Sequence, residues 1–228
     1  MSGEPIAKRA REENDEEDSA LIALDKVQLE LDDINERSGE EILKIEQKYN
    51  KIRRPVYDKR AEAIKNVDGF WPTAFLNHPQ FSQFICEVEE PFIAAITAVN
   101  VEEFEEIKTG FRIRFTFEKN DYIENEFIEK EFHMGADPHT KVTEIKWKTG
   151  KNLLNEVNEN RHPVPNETPT FIEWLVEQSD PSMDEIAEII KDDIFPSPIQ
   201  YFLLPDTENS DSDGDEIEDE VEGEEENE

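Results

Sequence analysis

Between positions 24 and 56, apolar side chains return every three or four residues. Leu24, Val27, Leu31 and Ile34 lead to Ser38 with 3-4-3-4 spacing, and Ile42, Ile45, Tyr49, Ile52 and Val56 resume the alternation. That spacing is the seam of a coiled coil. The step from Ser38 to Ile42 is four where three is due, a stutter that unwinds the pairing locally, and the small pair Ser38-Gly39 sits at the shift. A helix from Leu24 to Arg53 would be about 45 Å long. Pro55 is expected to kink or break it, and Gly69 to stop it ahead of Phe70-Trp71-Pro72. A compact domain cannot cover so long a stripe, and no second long helix follows. The pattern therefore predicts a homodimer paired through Leu24, Val27, Leu31, Ile34, Ile42, Ile45, Tyr49 and Ile52.

After the helix the period changes. Residues 70–98 read as short helices with Pro72, Pro79 and Pro91 near their starts. Phe111, Ile113, Phe115 and Phe117 then alternate with Arg112, Arg114, Thr116 and Glu118, a half-buried strand. A segment from Val101 to Ile107 precedes it, before the turn Lys108-Thr109-Gly110. Tyr122 to Phe132 reads as a third strand and Val142 to Trp147 as a fourth, together an antiparallel sheet with one wet face. Residues 155–169 read as a polar, Pro-rich loop. A helix starting near Thr168-Pro169 carries Phe171, Trp174 and Leu175. Another starts at Asp180-Pro181-Ser182, with a capping box between Ser182 and Glu185 and a core face of Met183, Ile186, Ile190 and Ile194. The expected division is a disordered segment over 1–19, a dimerisation helix over 20–68 kinked near Pro55, an α+β domain over 69–205, and a disordered acidic tail over 206–228.

Charge narrows the class of partner. Against 24 Lys and Arg stand 58 Asp and Glu, a formal charge of −34; residues 206–228 hold fourteen acids and no base, which leaves −20 on the rest. Such a field repels nucleic acids and anionic membranes and gathers polycations. The 14 Phe and 3 Trp argue for a packed core alongside that charge. Cys86 is the single cysteine, so no intrachain disulfide forms and a reducing compartment fits. No apolar run approaches the roughly 18 residues of a membrane span, and residues 1–20 lack a signal-peptide core, so a soluble intracellular protein is expected. Lys8-Arg9-Ala10-Arg11 reads equally as a nuclear import signal or as a solvated basic patch.

On the late helices Asp184, Glu188 and Asp192 stand at i, i+4 and i+8, with Glu185 and Asp193 beside them, and Glu173 and Glu177 repeat the spacing. Like charges so placed each cost a few tenths of a kcal/mol. They form either a solvated face that favours the helix N-terminus or a surface for a basic partner, and the acidic tail tips the balance to the second. Ser210 and Ser212 each have an acid three residues on, the pattern of acidophilic kinases, and phosphate there would deepen the charge.

Candidate chemistry is thin. Carboxylate pairs are frequent by chance among so many acids. Asp211-Ser212-Asp213-Gly214-Asp215 with Glu222 has the spacing of a calcium loop but lacks flanking helices. Thr149-Gly150-Lys151 fails as a phosphate loop because position 145 is Ile145. His78, His133, His139 and His162 are scattered without metal-ligand spacing. No catalytic residue, cofactor, metal or small-molecule substrate is expected, and no enzyme.

The run Glu40-Glu41-Ile42-Leu43-Lys44-Ile45-Glu46-Gln47-Lys48-Tyr49-Asn50-Lys51, then Asn77-His78-Pro79-Gln80, Glu144-Ile145-Lys146-Trp147-Lys148 and Ile190-Lys191-Asp192-Asp193-Ile194, resembles the nucleosome assembly protein family, most of all its SET/template-activating-factor branch. The resemblance spans about Val27 to Asp206. It implies an α+β fold in which a long dimerisation helix is followed by an antiparallel-sheet-plus-helices "earmuff" domain, in a headphone-shaped dimer. It also implies core histones as partners, bound by acids on the earmuff underside. By position the resemblance places Asp184 and Glu185 there, and Glu173 and Val176 stand where relatives carry hydroxyl residues; with the acids read from spacing, the histone-binding candidates are Asp184, Glu185, Glu188, Asp192, Asp193, Glu173 and Glu177. Chromatin-bound DNA would be met as part of a histone complex, and the expected location of the protein is the nucleus, with the cytoplasm second. For the SET branch it further implies masking of histone tails, and an alternative role as an interaction protein that inhibits a serine/threonine phosphatase.

Overall fold

The computed structural model describes residues 6–160, 168–178 and 180–204, with side chains from Ser19 onward outside 158–160. The acidic stretch 206–228 with Ser210 and Ser212, and residues 161–167 of the Pro-rich loop, lie outside the described residues. The chain falls into two compact units, Met1–Ala63 and Ile64–Glu228.

The first unit is a single helix, α1, whose residues run Ile6–Ile64. One expectation changes here. The backbone of residues 6–19, expected to be disordered, is helical; Ala, Glu, Arg and Lys fill it, and their high helix propensity outweighs the missing apolar stripe. Of the two outcomes expected at Pro55, a kink or a break, the helix does not break there but continues for nine more residues. Proline removes one backbone bond, but Lys51 and Pro55 are both exposed, so water can satisfy the orphaned carbonyl. Short ion pairs line the surface, among them Arg37–Asp33 at 3.0 Å and Arg54–Asp58 at 3.6 Å. Such exposed pairs add little stability. The predicted seam stands bare in the single chain, from 47% exposed at Leu31 to 64% at Leu24. A contiguous apolar stripe of that length marks an interaction surface, and the long helix fits dimerisation.

The second unit packs short helices on one face of a four-stranded sheet. Helix α2 (Phe70–Asn77) is followed by two 3-10 turns and by α3 (Glu90–Ile93), with Pro91 in its first turn. Strands β1 (Ile96–Glu103), β2 (Gly110–Phe117), β3 (Phe127–His133) and β4 (His139–Val142) form an antiparallel sheet in the order β1-β2-β3-β4. Gly110 opens β2 at φ 130°, where a Cβ would meet the Phe132 carbonyl oxygen at 1.8 Å, so no other residue fits the turn.

The period-two reading holds for β2: Phe111, Ile113, Phe115 and Phe117 are buried and the alternate side chains are wetter. Arg114 reaches Glu129 across the strands at 2.7 Å on the wet face. Both later strands shift from their expected bounds. Residues 122–126 form no strand beyond one bridge, Ile123 to Trp147. The cause is asparagine: Asn120 Oδ1 accepts from the amides of Tyr122 and Ile123, and Asn125 Oδ1 accepts from the Lys146 amide, so side chains take the bonds a ladder needs. The fourth strand accordingly lies ahead of the expected segment, at 139–142.

Residues 153–160, six of the eight expected as loop, form α4 (Leu153–Asn160), held by the fully buried Leu153 and Val157. Two apolar residues in a polar segment were too weak a signal. Phe75, Phe81, Phe115 and Phe171 meet in the core, with the Phe75 and Phe81 rings stacked at 4.7 Å and Phe115 edge-on to Phe171 at 5.5 Å.

Candidate acidic binding face

The acids singled out in the sequence sit on or cap α5 (Phe171–Val176) and α6 (Glu185–Glu188), with Glu177 after α5 and Asp184 before α6, or lie on the π-helical turn Ile189–Ile194 that prolongs α6. Thr170 caps α5 through a reciprocal pair: Glu173 Oε2 accepts from the Thr170 amide at 2.8 Å, and the Thr170 hydroxyl accepts from the Glu173 amide. The expected capping box at Ser182 and Glu185 does not form. Asp180 takes the Ser182 amide and hydroxyl instead, which holds its carboxyl below the usual range, and Asp184 caps α6 by accepting from the Ala187 amide at 2.9 Å. Met183, expected in the core, is 92% exposed, because the chain turns through the 3-10 segment Pro181–Met183 before α6 begins. Ile186, Ile190 and Ile194 are buried as expected.

Trp174 organises this face. Its indole N–H donates to both oxygens of Asp184, at 2.8 and 2.9 Å. Beneath it the Lys130 ammonium donates to the Trp174 carbonyl and lies 4.4 Å from the ring centroid. Lys130 is fully buried; desolvation pushes its pKa down to about 8, against the pull of Asp184 and Glu177. A shallow cavity of about 200 Å³ opens beside the indole. Phe84, Trp174 and Ile186 supply apolar wall, and Glu177, Asp184 and Glu185 supply carboxylates.

The π turn separates the remaining acids. The Phe195 amide donates to Ile190 five residues back, so the turn is one residue wider than an α-helical one and the i, i+4, i+8 row does not continue past Glu188. Asp193, its side chain half exposed, turns to the fold: it accepts the Tyr201 hydroxyl and stands 3.3 Å from His78 Nε2. His78 Nδ1 accepts from the amides of Gln80 and Phe81, which leaves the proton on Nε2 to donate to Asp193. Burial and the Asp193 carboxylate push the Tyr201 hydroxyl up to about 12. Asp192 points outward and pairs with Lys191 at 2.6 Å.

Of the seven candidates, Asp184, Asp193 and Glu173 are thus tied into the fold by hydrogen bonds. Glu177, Glu185, Glu188 and Asp192 are exposed. Only Glu177, Asp184 and Glu185 share the cavity. Sequence reasoning missed Trp174 and Lys130 as organisers and Asp180 as a cavity acid. For Lys130 a signal existed, since a lysine stands between Ile128 and Phe132 on the inward phase of a strand.

The family model for nucleosome assembly protein (NAP) matches residues 61–179. The chain is 47% identical over 207 residues to Protein SET of Drosophila melanogaster, covering 86% of this chain and 77% of that protein. It is 44% identical to Protein SETSIP of Homo sapiens, covering 85% and 69% respectively. Among solved structures it is similar to nucleosome assembly protein 1 from Plasmodium knowlesi, with a TM-score of 0.65 at 26% identity, over 83% of this chain and 97% of that one.

Proposed function

Because this chain belongs to the nucleosome assembly protein family, in its SET branch, we propose that it is a histone chaperone whose acidic face on α5 and α6 receives the basic surfaces of core histones. The observation that carries this reading is the cavity beside Trp174. Its apolar wall suits the methylene stem of a lysine or arginine, and Glu177, Asp184 and Glu185 suit the charged head. Asp184 is pre-oriented by the indole and by the α6 amide, so little ordering remains to be done on binding. Pairing through the α1 seam places two such faces in one particle, and the second contact then forms at high effective concentration.

The action proposed needs no bond made or broken. The histone's basic faces are covered until DNA, with its greater charge density, displaces the chaperone. DNA enters only together with histones. The acidic stretch 206–228 extends the field, phosphate on Ser210 or Ser212 would strengthen it, and the covered histone tails would be masked from modification. A nuclear role follows.

The test is binding of purified core histones over a salt series. Affinity should fall steeply with salt. Reversal of the exposed acids, Glu177→Lys with Glu185→Lys and Glu188→Lys, should weaken binding by at least roughly tenfold, about 1.4 kcal/mol, with the dimer intact. Indifference to histones at low salt overturns the chaperone reading. Unchanged affinity in the triple variant moves the binding face elsewhere.

A further inference from the structure

Among the described residues the sheet order leaves β1 with one neighbour. The Phe104 amide donates to the Gly110 carbonyl at 2.9 Å, and the register Ala98–Thr116, Asn100–Arg114 and Glu102–Arg112 continues that pairing. These even-numbered residues therefore direct their backbone groups at β2. The N–H and C=O groups of Val99 and Val101 point the other way, out of the sheet, and no hydrogen bond to them occurs among the described residues. After a bulge between Ile96 and Ala98 the strand is regular to Glu103. A regular edge of this length is a template for another strand.

Charge restricts which strand. Glu102, Glu103, Glu105 and Glu106 run along the end of β1 and into the following turn, and no Lys or Arg lies between Val99 and Ile107. A second copy of the same edge brings these carboxylates no counter-charge, because β1 itself holds no Lys or Arg. A cationic strand meets attraction instead. Its pattern is also constrained. Residues flanking Val99 and Val101 would extend the core face, where Val99 is 6% exposed, and alternate residues would lie on the wet face beside Asn100 and Glu102.

We infer that the free edge of β1 receives an extended, alternating apolar and Lys/Arg-bearing segment of a basic protein as a fifth strand, bonded to the backbone of Val99 and Val101. This rests on the reading that the partners are basic proteins, but it uses none of the residues of the α5–α6 face.

The experiment uses the full-length dimer and two synthetic peptides of about twelve alternating valines and lysines, one N-methylated at alternate amides. Both carry the same charge, so binding to acids alone is equal for the two. Strand pairing requires the unmethylated peptide to bind roughly tenfold more tightly, and to slow amide exchange at Val99 and Val101. Val101→Pro, which removes an outward N–H and no bond to β2, should erase that difference. Equal affinity of the two peptides for the unmutated protein overturns the inference, whatever the variant does. A species heavier than the dimer that Val101→Pro abolishes would show the edge taken by a second copy, and also overturns it. Histone binding measured alongside separates the readings: histones bound with equal peptide affinities sinks the edge alone, and strand pairing without histone binding sinks the chaperone reading alone.

Discussion

Lys130 is a lysine where the sheet needs an apolar side chain. Burial holds its pKa at about 8, below the 10.5 of a free lysine, so the unfolded chain takes up this proton at higher pH than the folded one. Stability therefore falls as pH drops from 10.5 to 8, and below 8 the penalty is complete, on the order of 3 kcal/mol. Lys130→Met removes the titration. The unfolding free energy of the natural protein minus that of the variant, from urea titrations, should climb between pH 7.5 and 10. A flat difference across that range would show that burial does not perturb this amine. Glu89 is a second buried ionisable side chain. Its two oxygens accept the amides of Cys86 and Ile172 at 2.8 and 2.7 Å, which joins the 3-10 turns to the start of α5. The bond to Ile172 spans 83 residues, which is why nothing local in the sequence marks that junction.

Among the elements, the π turn decides what the last acids do. Two adjacent aspartates part company there, Asp192 to solvent and Asp193 to His78 and Tyr201, and Asn77 adds bonds from α2 to the carbonyls of Tyr201 and Leu204. Asp193→Ala would leave the Nε2 proton of His78, a residue only 2% exposed, without its acceptor, and should cost about 2 kcal/mol in chemical denaturation. Asp192→Ala should stay within about 0.5 kcal/mol of the natural protein. Equal losses at the two positions would contradict the assignment of Asp193 alone to the His78–Tyr201 junction. The pairing also explains why Asn77-His78-Pro79-Gln80 and Ile190-Lys191-Asp192-Asp193-Ile194 stood out together: they are two halves of one junction between α2, the π turn and α7 (Pro198–Phe202).

For the whole molecule, the exposed apolar stripe on α1 is the proposed dimer interface. Ile34 and Ile45, 53% exposed in the single chain, lie on either side of the stutter. Ile34→Asp with Ile45→Asp would bury like charges against each other in a pair. Sedimentation at micromolar concentration should report a dimer for the natural protein and a monomer for the variant, with the signal of the second unit unchanged. A variant that stays dimeric would place the interface off this stripe. The monomer should also bind histones more weakly at a given salt, since the second face no longer contributes.

The sequence by itself determined what depends on local period and summed charge. The seam from Leu24 to Val56, the alternation from Phe111 to Phe117, the α+β order and the acidic field are all visible there, because helix and strand faces follow from spacing and a net charge follows from counting. Tertiary structure decided which acids are held by donors of the fold and which are left to solvent. Glu173, Asp184 and Asp193 read like their neighbours along the chain, yet each accepts hydrogen bonds from within the fold, while Glu177, Glu185 and Glu188 reach solvent. Spacing could not tell them apart. Their fates turn on a wider helical turn, a tryptophan ten residues upstream of Asp184 and a histidine 115 residues from Asp193. A carboxylate's role is set by whichever donors the packed chain brings within about 3 Å of it.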